Sequence, residues 1–486
     1  MARRPGAVTR ERRLQAVSAY LDKPDALAAE FAAGETTQRI RTFSQAAPDD
    51  LVAALDLLGR VKGAAIVVHG PRGCAAALVG AAPEAHWAVT GLDQRDTIMG
   101  SEGVVERAVL ALVRRHKPWA VFVVTTPVVA INSDDARDTV LSLTDELGIP
   151  VQLVRTDGFR SRVAATGFDA ACQALLNLVP PVAEATQDDL VNVVARDAAG
   201  ARAAAALLAD AGLEVNVLPA GADAEGFARA ARARLSICID PDATMAFAAG
   251  LEAAHGVPVL RAGLPIGLAA TQRWVDAVAA VETPVMAGEG PPSTPCGVGI
   301  DEGVDGGPAP AMTRGWSKGV PSNRVAVPHL VLQGVRVHLA LPADAAFAAA
   351  ELVAELGGVV AGLSVSHIDS THAGALDAFT RTHPGVTLHV AAGQPFELVN
   401  LLAKQRPDLF VGTPELASLA AAAGFPAVGL TPDALIGWRG ATRLAQRARA
   451  ALTNPAFVRR LSAAPSPYAA GWLRRSADWH VKQEVR

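Results

Sequence analysis

Cys74 carries the most pointed chemistry in the sequence. It closes the run His69-Gly70-Pro71-Arg72-Gly73-Cys74, which follows a Val/Ile-rich stretch at 64–69 and reads as a Gly/Pro turn just beyond a strand's C-terminal end. In an open α/β sheet, ligands collect at that edge. A single thiol there could hold a metal centre, act as a nucleophile or fill a gap in the packing. Thr125-Thr126-Pro127 ends a second strand, and Asp134 or Asp135 can cap the helix that follows. Arg155-Thr156-Asp157-Gly158-Phe159 ends a third and could line the same crevice as Cys74. His367, Asp369 and His372 follow a later strand and could form a metal-binding trio. Their irregular spacing in a loop reads instead as exposed polar residues.

Several familiar chemistries are missing. No phosphate-binding Gly-x-x-x-x-Gly-Lys loop is present, and no Gly-x-Gly-x-x-Gly follows a strand. Gly299 and its neighbours read as linker. His-Glu-x-x-His, Cys-x-x-Cys and Gly-x-Ser-x-Gly are also absent, which removes the common zinc, redox and hydrolase signatures. Nothing in the sequence assigns a His or carboxylate to activate the Cys74 thiol, so nucleophilic catalysis recedes.

The four cysteines, Cys74, Cys172, Cys238 and Cys296, are scattered and form no disulfide framework. With no export signal in the sequence, the expected compartment is the reducing cytoplasm. A net charge of −4 gives no reason to expect nucleic-acid binding. No window approaches the ~18–20 uninterrupted apolar residues of a membrane span. The basic run containing Arg3, Arg4, Arg10, Arg12 and Arg13 reads as a solvated, frayed terminus.

The elements that must position these residues form an α/β pattern. Residues 1–59 read as a helical N-terminal region, with Leu14, Val17, Leu21, Leu27, Phe31, Leu51, Leu55 and Leu58 at helical spacing. Short Val/Ile/Leu runs then alternate with Ala-rich amphipathic segments, as in βα units around parallel sheets. Strands are expected at 64–69, 119–126 and 151–155, then at 190–195, 213–218, 235–239 and 257–261. A third set falls at 335–341, 359–365, 387–391, 409–412 and 427–430. Three consecutive Rossmann-like domains follow, at 60–182, 183–287 and 323–486, each a parallel sheet flanked by helices. Residues 288–322 are too Gly/Pro-rich for a simple connection and read as a linker or insertion. The tail bearing Trp472, Trp479 and His480 suits docking, either on another surface or around its own domain.

The order and spacing of these segments resembles the nitrogenase component 1 superfamily from about Thr42 onward. His69–Cys74 is similar to the segment carrying a cluster-ligand cysteine. Thr90-Gly91-Leu92-Asp93 and Met99-Gly100-Ser101-Glu102 resemble the acidic, Gly-containing segment after it. The strand ending at Pro127 with Asp134-Asp135, and Arg155 to Phe159 with Gly167-Phe168-Asp169, continue the likeness. Pro265-Ile266-Gly267-Leu268-Ala269-Ala270-Thr271 resembles a segment of beta-type subunits, and Gly437-Trp438-Arg439-Gly440-Ala441 a closing Gly-aromatic-x-Gly segment.

The resemblance implies a beta-type subunit in a heterotetramer with a homologous alpha-type subunit, fed by an ATP-dependent iron–sulfur reductase protein. It also implies a shared iron–sulfur cluster, and here the sequence departs from the family pattern. Of three expected cysteine ligands only Cys74 matches. Ser44 stands nearest the first position, and Thr125-Thr126-Pro127 occupies the third. Hydroxyls are poor substitutes for soft thiolates. One cysteine can serve as the fourth ligand of a 4Fe-4S cluster whose other three come from the partner. Ser44, Gly73, Thr125 and Thr126 would then line the cluster cavity. Cys238 falls near the family's large-cofactor cysteine, but no histidine stands near Leu435–Trp438, so Cys238 reads as a small buried hydrophobe. The implied role is in a cofactor scaffold or reductase rather than in dinitrogen reduction. Two alternatives stand beside it: a cluster-free structural or regulatory subunit, and an α/β enzyme for nucleotide sugars or other small anions, against which the missing phosphate loops speak.

Overall fold

The computed structural model describes residue 13 and residues 15–42, 49–75, 85–158, 163–181, 186–209, 212–281, 330–462 and 469–483. The N-terminal region departs from a purely helical reading. It contributes strands β1 (Ala19–Asp22) and β2 (Arg39–Arg41) besides the helices Pro24–Ala32 and Asp50–Leu58. Tyr20 and Leu21 sit in β1, which pairs antiparallel with a strand far along the chain.

Three parallel sheets follow. The first contains β3 (Ala65–His69), β4 (His86–Val89), β5 (Val121–Thr125) and β6 (Val151–Val154), in the order β4-β3-β5-β6. The second contains β7 (Gln187–Ala195), β8 (Glu214–Pro219), β9 (Ala233–Cys238) and β10 (Val259–Leu260), in the order β10-β9-β7-β8. The third contains β11 (Arg336–Ala340), β12 (Val359–Val365), β13 (Thr387–Ala391), β14 (Leu409–Gly412) and β15 (Ala427–Gly429). There β1 is the outer strand, in the order β1-β13-β12-β11-β14-β15. Central strands such as Ala65–His69 and Val121–Thr125 are buried along their whole length, as a sheet covered on both faces requires. The 288–322 tract lies outside the described residues.

Each sheet grows outward in both directions from its first or second strand, so each has a switch point where strand order reverses. In the first sheet it lies between β3 and β5, in the second between β7 and β9, and in the third between β11 and β14. Side chains at the C-terminal ends of those strands face crevices where ligands gather.

Small residues set the close approaches. The helix Asp50–Leu58 crosses Ala165–Leu176 so tightly that a Cβ on Gly167 would fall 1.8 Å from the Asp50 carbonyl oxygen. The Asp50 side chain accepts from the Asp157 and Gly158 backbone amides at 3.0 and 2.7 Å, which fixes the loop after β6. Among the described residues no helix is long and apolar enough to cross a membrane.

The C-terminal tail packs back on its own chain. Its strand β16 (Val481–Gln483) pairs antiparallel with β2, and Trp472 packs on Phe396 with ring centroids 4.0 Å apart. Buried Glu397 gathers Arg41 Nε at 2.7 Å, His480 Nε2 at 2.8 Å and His389 Nε2 at 2.9 Å. From His389 the hydrogen bonds continue through Ser364 Oγ at 3.1 Å to His338 Nε2 at 2.9 Å, and His338 Nδ1 meets Gln405 at 2.9 Å. Burial pushes His338 down to about 4.

Two outcomes are expected. Gly167→Ala should lower folding stability by about 1–3 kcal/mol through overpacking, and an unchanged denaturation midpoint would contradict the helix crossing. The unfolded chain takes up a proton on His338 below about 6.5 that the folded chain refuses until about 4. Its contribution to stability is therefore complete above about 6.5 and is lost as pH falls through that window. Urea titrations between pH 7 and 4 should show this loss, reduced in His338→Asn.

Candidate functional site

The first sheet's switch point holds Cys74. After β3 the chain turns at Gly70, where a Cβ would lie 2.2 Å from Thr126 Oγ1, so only glycine lets the two strand ends meet. The 3-10 turn Arg72–Ala75 then presents Cys74, whose amide donates to the Pro71 carbonyl at 3.0 Å. The thiol is half-buried, with its side chain against the first-sheet core. Gly73 is exposed, and among the described residues a Cβ there would meet nothing within 4 Å.

Behind the turn, His69 is fully buried. Its Nδ1 lies 3.2 Å from Thr90 Oγ1, and its Nε2 lies 3.1 Å from Ser101 Oγ and 3.5 Å from Asp134 Oδ2. Burial lowers its pKa against the pull of Asp134. Both ring nitrogens are engaged in holding the strand end.

Of the hydroxyls expected beside the cluster, those of Thr125 and Thr126 stand at the end of β5. Thr125 Oγ1 donates to the Thr156 carbonyl at 3.0 Å and accepts from the Thr156 amide at 3.1 Å, tying β5 to β6. Thr126 is wholly buried beneath Gly70, and among the described residues its hydroxyl has no hydrogen-bond partner. Ser44 lies outside the described residues. A groove of about 230 Å³ runs beside Thr125 and is lined by Asp134, Asp135, Arg155, Thr156 and Asp157 among others. The Cys74 turn lies outside that lining set.

Two other cysteines are interior. Cys238 ends β9 with Sγ 3.2 Å from Thr244 Oγ1, and burial pushes its thiol up to about 12. Cys172 lies in the helix Ala165–Leu176 with Sγ 3.4 Å from the Ala243 carbonyl, and burial raises its pKa too. Cys296 lies outside the described residues.

A second constellation forms where helices and loops of all three sheets meet. His367, Asp369 and His372 are buried, not exposed, because the loop after β12 turns inward against the helix Pro241–His255. His367 Nε2 lies 3.1 Å from Asp242 Oδ1, and His372 Nδ1 lies 2.9 Å from Asp369 Oδ1. Arg13, expected in solvent, is buried at the centre. It contacts Asp169 at 2.7 Å through Nε, and Asp242 at 2.7 Å and Asp369 at 3.6 Å through Nη1. Burial opposes its charge, but Asp242, Asp169 and Asp369 more than offset that cost.

Asp169 feels the converse. Burial pushes it up to about 6 even though Arg13 pulls it down. Burial also works against protonated His372, yet its bond to Asp369 holds the proton up to about 9. Sequence reasoning passed over Arg13, Asp169 and Asp242 as members of one cluster. The only local signal was the position of Asp242 in the first turn after a strand end.

Comparison with known proteins adds the family context. A family model described as nitrogenase component 1 type oxidoreductase matches residues 51–453. The nitrogenase iron-molybdenum cofactor biosynthesis protein NifE of Methanococcus maripaludis is 27% identical over 229 residues, 44% of this chain and 47% of that protein. NifE of Clostridium pasteurianum is 29% identical over 129 residues, 23% of this chain and 26% of that protein. The chain thus spans about half the length, or less, of the curated relatives it matches. The solved structure "Nitrogenase Cp1 at pH 6.5" shares the fold with a TM-score of 0.68 at 16% identity, over 86% of this chain and 95% of that one. "Nitrogenase Cp1 at pH 5" gives 0.63 at 15% identity, over 89% and 93%.

The burial differences predict an order of thiol reactivity. Alkylation of the folded chain at pH 8, mapped by mass spectrometry, should modify Cys74 well before Cys172 and Cys238. Equal rates would contradict the interior placement of the latter two.

Proposed function

The chain belongs to the nitrogenase component 1 type oxidoreductase family, and on that premise we propose that it is a cluster-bearing subunit of a heteromeric scaffold or reductase complex. The observation that carries this reading is Cys74, a half-buried thiol on a turn at a sheet switch point. The residues around it fit a single-ligand contribution. Gly73 is exposed, the Thr125 hydroxyl is committed to Thr156, and Thr126 is sealed beneath Gly70.

One thiolate suits the fourth corner of a 4Fe-4S cluster whose remaining three ligands come from a homologous alpha-type partner in a heterotetramer. Such a cluster supplies one-electron transfer, here between an ATP-dependent iron–sulfur reductase protein and a substrate or cofactor precursor. The chain's own residues hold the thiol in place. Gly70 lets β3 and β5 close together, and His69 pins the strand end through Thr90, Ser101 and Asp134. Cofactor biosynthesis, named in the curated relatives, favours the scaffold role over dinitrogen reduction. A reducing cytoplasm keeps the thiolate available.

The test is co-expression with the homologous partner and purification without oxygen. The reduced complex should give a four-iron EPR signal, and Cys74→Ala should lose both that signal and iron. An unaltered signal and iron content in Cys74→Ala would remove Cys74 from the ligand set. A colourless, iron-free complex that still assembles would instead support a structural subunit.

A further inference from the structure

The buried cluster between the second and third sheets has the composition of a metal site. Asp242, His367 and His372 each offer one ligand atom within 4.8 Å of the others. Asp242 Oδ1 and His367 Nε2 are already 3.1 Å apart. Bonds of about 2.0–2.1 Å to a tetrahedral ion place neighbouring ligand atoms about 3.3 Å apart, so modest side-chain rotations close the set.

Both imidazoles have their other nitrogen held by a partner. Ser366 Oγ lies 3.2 Å from His367 Nδ1, and Asp369 Oδ1 lies 2.9 Å from His372 Nδ1. This is how outer-sphere groups orient histidine ligands.

An independent observation points into the same space. Asp369 is completely buried, and among the described residues its Oδ2 has no hydrogen-bond partner. That oxygen lies 3.9 Å from His367 Nε2 and 3.6 Å from Arg13 Nη1. A buried carboxylate oxygen left in this state is costly, and a cation would satisfy it. Asp169, Asp242 and Asp369 also face the guanidinium of Arg13. Arg13 Nη1 also lies 3.5 Å from His367 Nε2, so the guanidinium sits against the same atoms that would bind an ion.

We propose that Asp242, His367 and His372 form a site for a divalent first-row transition-metal ion of the Zn²⁺ or Fe²⁺ class, and that Arg13 competes with the ion for it. Two imidazoles and a carboxylate suit these ions better than Mg²⁺ or Ca²⁺. Asp369 Oδ2 is a fourth donor. The Arg13 guanidinium is thereby a plug that a metal ion displaces.

Co²⁺ is the probe, added to the full-length chain under reducing conditions. Arg13→Met should bind it more tightly than the wild type by about tenfold or more, with visible d–d bands of nitrogen and oxygen ligation. Adding His367→Ala to that variant should weaken binding by at least about tenfold. Equal affinity in Arg13→Met with and without His367→Ala overturns the site, as does a thiolate charge-transfer band from the first equivalent bound. A second measurement needs no variant. Trypsin cleavage between Arg13 and Leu14, followed by mass spectrometry, should accelerate when Co²⁺ displaces the buried guanidinium. Cleavage indifferent to Co²⁺ overturns the competition.

Discussion

One constraint on how the three sheets meet is the need to satisfy charge that has been taken out of water. Asp169 comes from a helix of the first sheet, Asp242 from the helix after β9, and Asp369 with both histidines from the loop after β12. Unpaired, each carboxylate would oppose the closure of the junction by several kcal/mol. Arg13 and the imidazoles make closure possible, and in doing so they select one relative placement of the sheets. An apolar junction would tolerate sliding. A set of ion pairs at 2.7–3.1 Å does not.

The fold was far more legible in the sequence than the sites were. Strands 359–365, 387–391 and 409–412 coincide with β12, β13 and β14, because strands buried on both faces must be runs of branched apolar residues. The missed strands lack that signal. His86-Trp87-Ala88-Val89 lies at a sheet edge with its first two residues exposed, and the pairing partner of β1 lies far along the chain.

Cys74 was readable because a Gly/Pro turn at a strand end is a local pattern. Arg13 was not, since its burial depends on carboxylates that only the folded chain brings near. His367 and Asp369 lie in the loop that their irregular spacing suggested, while His372 closes a 3-10 turn that leads into the next helix. A loop pattern says nothing about which way the loop faces.

The two edges divide the molecule's chemistry. The first sheet offers a half-buried thiol on a turn, beside an exposed glycine. The junction of the second and third sheets is closed, and its donors are hard oxygens and borderline nitrogens. Interior Cys172 and Cys238 lie toward that junction, near Ala243 and Thr244 at the start of the helix Pro241–His255. Among the described residues soft ligation is therefore concentrated at one accessible point, Cys74.

The pairing of β1 with β13, and of β2 with β16, has a consequence for synthesis on the ribosome. Residues 19–22 and 39–41 are made before any of the three parallel sheets, yet their partners are residues 388–391 and 481–483. The first and second sheets draw their strands from contiguous stretches of chain and can mature during elongation. The early strands must wait through most of translation with their backbone groups unpaired. A chaperone acting on this nascent chain would find its most persistent client at the leading end.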